Sequence, residues 1–302
     1  MKHLLFRKAI CLSFVTGLFS LSAGVVSCSS EENQASDIGG RVDGRKLRQL
    51  TISEVSLTRA TLTEQTTNGK TSMGAAWKAG DQATYINLSD LGIGILNYGV
   101  LVASSSAESS AFTGSVTCDV QDKIALIYPK VTPASGNNIT IDLTGQRGTL
   151  TDIAERYHYV YGVGEVSSVI GTTANATISS MKSLLAVCKF TFKDSDNNPI
   201  PVNTLQISYG DGLDAGLPLA YSLEPNAEFA QAGIPANLSP EGTPLTIDLE
   251  TETTSGVYLA LFPVIGQVFF FSVTGSSGTY TGTATVNLKA GRYYNKEITL
   301  TK

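Results

Sequence analysis

The chain has 302 residues with a formal charge of −5, and 42% of its residues are apolar. Residues 1–27 hold Lys2, Arg7 and Lys8 and no acid, so a chain without them carries −8. That acidity, with only 16% charged residues, excludes the basic footprint of sequence-independent nucleic-acid binding. Thr occurs 33 times and Gly 29 times, a balance that suits β-packing and excludes coiled coil, collagen and disorder. His3 and His158 are the two histidines, so no mature site can rest on two imidazoles.

Met1 to Ala9 is a basic leader, and Ile10 to Val26 is apolar but interrupted by Ser and Gly, which fits an export signal better than a spanning helix. The run Val25-Val26-Ser27-Cys28 resembles the lipobox of bacterial lipoproteins, in which two apolar residues and a small one precede Cys. Cys28 is then the lipidated N-terminus after removal of a signal peptide spanning 1–27. Several acyl chains at about 0.8 kcal/mol per buried CH₂ anchor durably, where one would be marginal. Glu31-Glu32 resembles an acidic surface-export tag, so an outer-membrane lipoprotein facing outward is expected. Residues 28–46 have no apolar periodicity and read as a flexible tether.

Beyond the tether, apolar residues alternate with a period of two. Leu50 and Ile52 are followed, after a one-residue shift, by Val55 and Leu57; Ile139, Ile141 and Leu143 form the next set. Thr149 with Asp152 resembles a capping box, and Leu150, Ile153, Ala154 and Tyr157 have helical spacing, which predicts a short helix. The Gly- and Ser-rich stretch 162–183 follows and places a domain boundary near 175–183. Strands then recur at Ala186 to Phe192, Leu205 to Tyr209, Leu245 to Leu249, Val257 to Phe262, Val268 to Val273, Ala284 to Leu288 and Ile298 to Leu300. An all-β chain with two tandem β-sandwich domains, 47–178 and 179–302, is expected.

Chemistry-bearing constellations are sparse. His158 lies in Tyr157-His158-Tyr159-Val160-Tyr161, where an extended backbone would turn it and Val160 away from the three tyrosines. No G-x-S-x-G accompanies it, because Gly275-Ser276-Ser277-Gly278 has the wrong spacing. Cys118 and Cys188 either pair in the oxidising exterior or stay apart, Cys188 as a small core hydrophobe. Lys193 to Pro199 begins like a calcium loop, but Pro199 and Leu205 stand where that loop needs Gly and Glu, so a tight turn is expected. Asp211 and Asp214 also suit turns. Gly92-Ile93-Gly94 and Gly162-Val163-Gly164 lack the following helix of a nucleotide site, and Trp77 reads as core. No catalytic residue, metal or cofactor is expected.

The chain resembles the fimbrillin family of surface lipoproteins, the type V pilus subunits and their relatives. The residues that carry the likeness are Thr58-Arg59-Ala60, Trp77-Lys78-Ala79-Gly80-Asp81, Asp142-Leu143 through Gly145-Gln146 and Gly148-Thr149-Leu150 to Tyr159, Tyr161 and Gly162. Further on they are Leu185-Ala186 through Phe192, Val257 to Pro263, and Ala290-Gly291-Arg292-Tyr293-Tyr294. The resemblance implies transthyretin-like sandwiches, trimming after an arginine, and polymerisation by strands donated between subunits. The removable strand would be Leu50 to Leu57, with the cut after Arg59 and with Arg48 and Arg45 as earlier candidates; a cut after Arg45 would leave the strand in place. Physically, removing an early strand exposes unpaired backbone and an apolar groove that another subunit's strand can fill. The Ile298 to Leu300 strand has no evident donor segment after it, which leaves tip, anchor and accessory roles beside a stalk role.

Two further function classes compete with a fimbrial or accessory adhesin subunit. One is a monomeric lipid-anchored module that binds host glycan or protein through exposed aromatics such as Tyr293 and Tyr294. The other is an exported hydrolase, which would need His158 in a cleft beside an acid and a Ser or Thr nucleophile.

Overall fold

A computed structural model describes residues 45–56, 61–67, 70–134, 137–178 and 180–302. Residues 28–44 of the predicted tether, including Cys28, and Leu57 and Arg59 lie outside the described residues, whereas Lys46, expected at the end of the tether, already belongs to a strand. The strands of the first half are β1 (Lys46–Ser56), β2 (Thr61–Thr67), β3 (Lys70–Ala76), β4 (Gln82–Asn87), β5 (Tyr98–Ala103), β6 (Ser109–Cys118), β7 (Lys123–Tyr128), β8 (Ile139–Asp142), β9 (Val160–Ile170), β10 (Thr173–Thr177) and β11 (Lys182–Ser183). Those of the second half are β12 (Ala186–Lys193), β13 (Val202–Tyr209), β14 (Ala220–Leu223), β15 (Leu245–Thr253), β16 (Val257–Leu261), β17 (Val264–Gly275), β18 (Gly278–Leu288) and β19 (Tyr293–Thr299). Among the described residues the chain is all-β apart from three short helical segments and a π-helical turn.

The first sheet runs in the order β10-β1-β6-β5-β4-β7-β9-β11, and β10 also pairs with β9. The sheet therefore closes on itself, and closure leaves no free edge around the ring. Leu50, Trp77, Tyr85, Phe112, Ile124 and Leu126 belong to the core inside it. The register of β1 slips between Ile52 and Val55, as the one-residue shift in apolar spacing predicts. Trp77 is wholly buried, with edge contacts to Phe112 and Tyr128 at 4.6 and 5.3 Å.

Strands β4 and β7 show no alternation, because both of their faces are covered. Tyr85, Ile124 and Leu126 point into the ring, whereas Ile86, Ala125 and Ile127 join a second cluster outside it. The Gly- and Ser-rich stretch expected to lead into a boundary is instead largely the β9–β10 pair. Its glycines answer to close packing: a Cβ on Gly164 would sit 1.9 Å from the Thr177 carbonyl oxygen, and one on Gly162 would meet Met181 Sδ at 2.7 Å.

In the second half, β16-β12-β19 and β15-β13-β17-β18 form two sheets. One core lies between them, built from Cys188, Phe190, Leu205, Ile207, Phe269 and Phe271. The alternation of Ala186, Cys188, Phe190 and Phe192 is therefore that of a strand facing this core, while Val187 points the other way.

The two halves meet across a third cluster that takes residues from both, including Tyr161, Leu184, Leu185, Val187, Ala260 and Phe262. Strand β8 pairs with β14, so one ribbon takes a strand from each half. The predicted helix is present as Leu150–Asp152, continued by the π-helical turn Ile153–Tyr157. Thr149 Oγ1 caps it by accepting from Asp152 N at 3.2 Å, and Ile153, Ala154 and Tyr157 are its buried face. Just before it, buried Gln146 substitutes for a strand edge. Its Nε2 donates to the Leu143 and Ala260 carbonyls, both at 3.0 Å, and its Oε1 accepts from Ala260 N at 2.8 Å. Gly148 has φ +73, and a Cβ there would meet Leu249 Cδ2 at 2.5 Å. The segment Leu143 to Leu150 thus joins the halves through the Gln146 side chain and through its backbone, where Leu143 N donates to Leu219 O at 2.7 Å and Gly148 O accepts from Tyr258 N at 2.9 Å.

Replacing Gln146 with Leu leaves the buried amide and carbonyl of Ala260 without these partners. The expected loss is about 2–4 kcal/mol in urea unfolding, with both halves melting in one transition.

Candidate assembly site

Strand β1 lies in the ring between β6, to which it is antiparallel, and β10, to which it is parallel. Leu50 stands opposite Gly114 on β6 and Ala174 on β10, and Ile52 stands opposite Phe112 and Ala176. Small residues beside large ones give the strand fitted seats. Leu50, Ile52 and Val55 are fully buried. At about 1.5–3 kcal/mol each, the burial of the three contributes on the order of 4–9 kcal/mol, an upper figure because unfolded chains already hide some surface.

Polar contacts fix both ends of this strand. At its far end, Trp77 Nε1 donates to the Val55 carbonyl at 2.8 Å, and Met181 N donates to the Ser56 carbonyl at 3.3 Å. At its start, Arg48 is 9% exposed; its Nε donates to the Cys118 carbonyl at 2.9 Å, and its guanidinium also reaches Gly171 O and Asp119. Arg45 pairs with Asp90 through one guanidinium nitrogen and with Asp122 at 3.0 Å through the other. Both aspartates are buried. Asn97 Nδ2 donates to Asp90 Oδ2 at 2.6 Å, while Asn87 Nδ2 and Asp119 N donate to Asp122 Oδ2 at 3.0 and 2.9 Å.

The three arginines named as cleavage candidates are thus separated by position. Arg45 and Arg48 are held in the fold at the start of β1, with Arg48 inside the paired strand. Arg59 lies outside the described residues, in the link between β1 and β2. The roles of Arg45 and Arg48 as ends of a clamp had no sequence signal, since the aspartates that receive them lie far along the chain.

Other candidates are dispersed. His158 is buried at the end of the π-helical turn, and strand β9 begins only at Val160, so all five residues of Tyr157 to Tyr161 are buried without alternation. Cys118 and Cys188 are free thiols in different cores. Burial is the main cause that raises both, Cys118 to about 11 with Asp122 adding to the effect, and Cys188 further. Asp194 Oδ1 accepts from Asp196 N at 2.9 Å and Asn198 N at 2.8 Å, and Asn197 has φ +65, so the calcium-like segment is a local turn. Among the described residues, no group of three or more His, Cys, Asp or Glu is placed to hold a metal ion. A cleft of about 690 Å³ lies between the 147–156 segment and β15, lined by Arg147, Asp152, Arg156, Glu250 and Tyr258 among others.

Tyr293 and Tyr294 do not form the exposed platform that a ligand-binding module would use. Neighbours on β19, they face opposite sides: Tyr294 packs on the second-half core, and Tyr293 on the cluster between the halves. Tyr294 Oη accepts from Lys289 N at 2.9 Å. Tyr293 Oη donates to Glu64 on β2, which also pairs with Lys189 at 3.2 Å. Burial pushes the Glu64 carboxyl upward, yet hydrogen bonds from Tyr293, Tyr258 and Lys189 hold it below its ordinary 4.5. This cluster fastens the β2–β3 hairpin to the second half.

Replacing Arg45 with Gln strands two buried carboxylates and is expected to cost about 2–4 kcal/mol in chemical unfolding, below the range for a fully buried pair because Arg45 is partly exposed. The exposed Lys46→Gln change is the control, with little effect. Because the folded Glu64 carboxyl is depressed, its contribution is full above 4.5 and is lost as pH falls through the lowered value. Protection factors of the β2–β3 hairpin amides, corrected for the intrinsic slowing of exchange at lower pH, are therefore expected to fall on acidification in that window, and Glu64→Gln is expected to flatten the response.

No protein-family profile matches the chain, and no curated protein matches it. Solved structures do. A protein assigned to cell adhesion from Bacteroides uniformis superposes with a TM-score of 0.51 at 20% identity, covering 87% of this chain and 95% of its own. A second, from Bacteroides ovatus, gives 0.50 at 15% identity, with 84% and 93% covered. A third, from Bacteroides fragilis, gives 0.51 at 9% identity over the same shares. The chain thus shares its architecture with these three structures.

Proposed function

We propose that this chain is a non-enzymatic cell-surface lipoprotein, anchored in the outer membrane through Cys28, that serves as a fimbrial or accessory adhesin subunit of the fimbrillin type. Its halves, divided near residue 178, correspond to the two transthyretin-like sandwiches of that family. Its partners are other fimbrial subunits and, on the host side, a glycan or protein. The observation that carries this reading is the place of β1, the one strand that separates β6 from β10. With β1 withdrawn, the ring opens between those strands into a groove. Its walls offer unpaired backbone along two edges, and its floor holds Phe112, Val116, Ala174 and Ala176. A strand from a neighbouring subunit fills such a groove with the hydrogen bonds and side chains that β1 supplied.

Arg59 is where the cut belongs. It follows β1 in sequence and precedes the β2–β3 hairpin, so a cut after it frees the whole strand. Arg45 and Arg48 carry contacts of the closed sheet instead. A protease needs an extended, unpaired segment, and Arg48 lies within a paired one.

Intact mass and N-terminal sequencing of surface and shed protein, compared between wild type and Arg59→Ala, test this reading. Ala60 is expected as the new terminus in high-mass assemblies of the wild type, with the assemblies lost in the variant. Lipidated Cys28 termini confined to monomers would overturn it.

A further inference from the structure

The groove filled by β1 has apolar seats along its length and a polar cluster at one end. Asp90 and Asp122 are 2% and 4% exposed. Asn97, Asn87 and the Asp119 amide are neutral donors to them. Among the described residues, Arg45 is the only cation paired with either carboxylate. Two buried carboxylates close enough to share one guanidinium repel each other, and water does not reach them well enough to offset the cost.

We infer that Asp90 and Asp122 form a cation socket that selects the strand admitted to the β1 groove, requiring a basic residue five positions before that strand's first buried apolar side chain. This inference rests on the strand-exchange reading above and names the partner that such an exchange takes. The occupant is an extended segment of a second polypeptide that runs in the direction of β1. Its basic residues stand where Arg45 and Arg48 stand, and branched apolar residues where Leu50 and Ile52 stand. A strand of equal apolar character but without the cation leaves the two carboxylates unpaired, so the socket discriminates by penalty. Polarity is read in the same way. A reversed strand could pair with β6 and β10, but its basic end would lie beside Trp77 rather than beside the aspartates.

The test uses the full mature chain, cut once at a protease site engineered within residues 57–60 so that β1 stays seated without its covalent link. Fluorescent peptides of residues 45–56 compete for the groove, followed by anisotropy: the native sequence, Arg45→Lys, Arg45→Gln, and Leu50→Ser as the apolar control. The native and Lys peptides are expected to enter, the Gln peptide about tenfold or more less well, and the Ser peptide poorly. Asp122→Asn in the protein is expected to narrow the Arg-to-Gln ratio. Equal entry of the Arg and Gln peptides would overturn the socket while leaving strand exchange intact. Failure of every peptide to enter would overturn both.

Discussion

The first half of this protein is held together by one closure, the pairing of β1 with β6 on one side and β10 on the other. A sheet that closes on itself gives each strand of the ring a neighbour on both sides, and its core can be apolar because no strand is left as an edge. Arg45, Arg48 and Trp77 take their places from the same closure, since each bonds either from β1 outward or inward to it. The fold is accordingly most sensitive at β1, which closes the ring.

That arrangement divides affinity from selectivity. Leu50, Ile52 and Val55 supply most of the free energy that keeps β1 in place, and any strand with suitable branched residues could supply it as well. The buried aspartates at one end add little to affinity, because separating charges from water costs nearly what their pairing returns. What they add is a penalty for the wrong occupant. Apolar seats bind, and the polar end discriminates.

Much of the architecture was legible in the sequence wherever one strand face is buried and the other is not. β8 and β15 alternate at the residues expected, the expected residues of β12 and β13 face the second-half core, and the register slip in β1 falls at the shift between Ile52 and Val55. The capped turn at Thr149 was legible for a local reason, because a cap needs only residues a few positions apart. β4 and β7 were not, because burial on both faces erases the period. Gly162 and Gly164 gave no strand signal, although close packing against Ile178, Thr177 and Met181 leaves no room for a Cβ at either position of β9. Tyr293 and Tyr294 were read as a pair although adjacent strand residues point apart, a rule the sequence alone supplied. The Arg45 cluster left no trace, because its partners come together only in the closed sheet.

The direction of β1 bears on how the molecule answers force. The chain enters the ring at Arg45, at the end of a strand flanked on both sides by hydrogen-bonded neighbours. A pull along the strand axis loads all of those bonds together in shear, whereas a sideways pull on an edge strand breaks them one by one. Arg45 and Arg48 stand at the loaded end and grip loops on either side of it. Pulled along its axis from this end, β1 yields only when its whole ladder gives way at once.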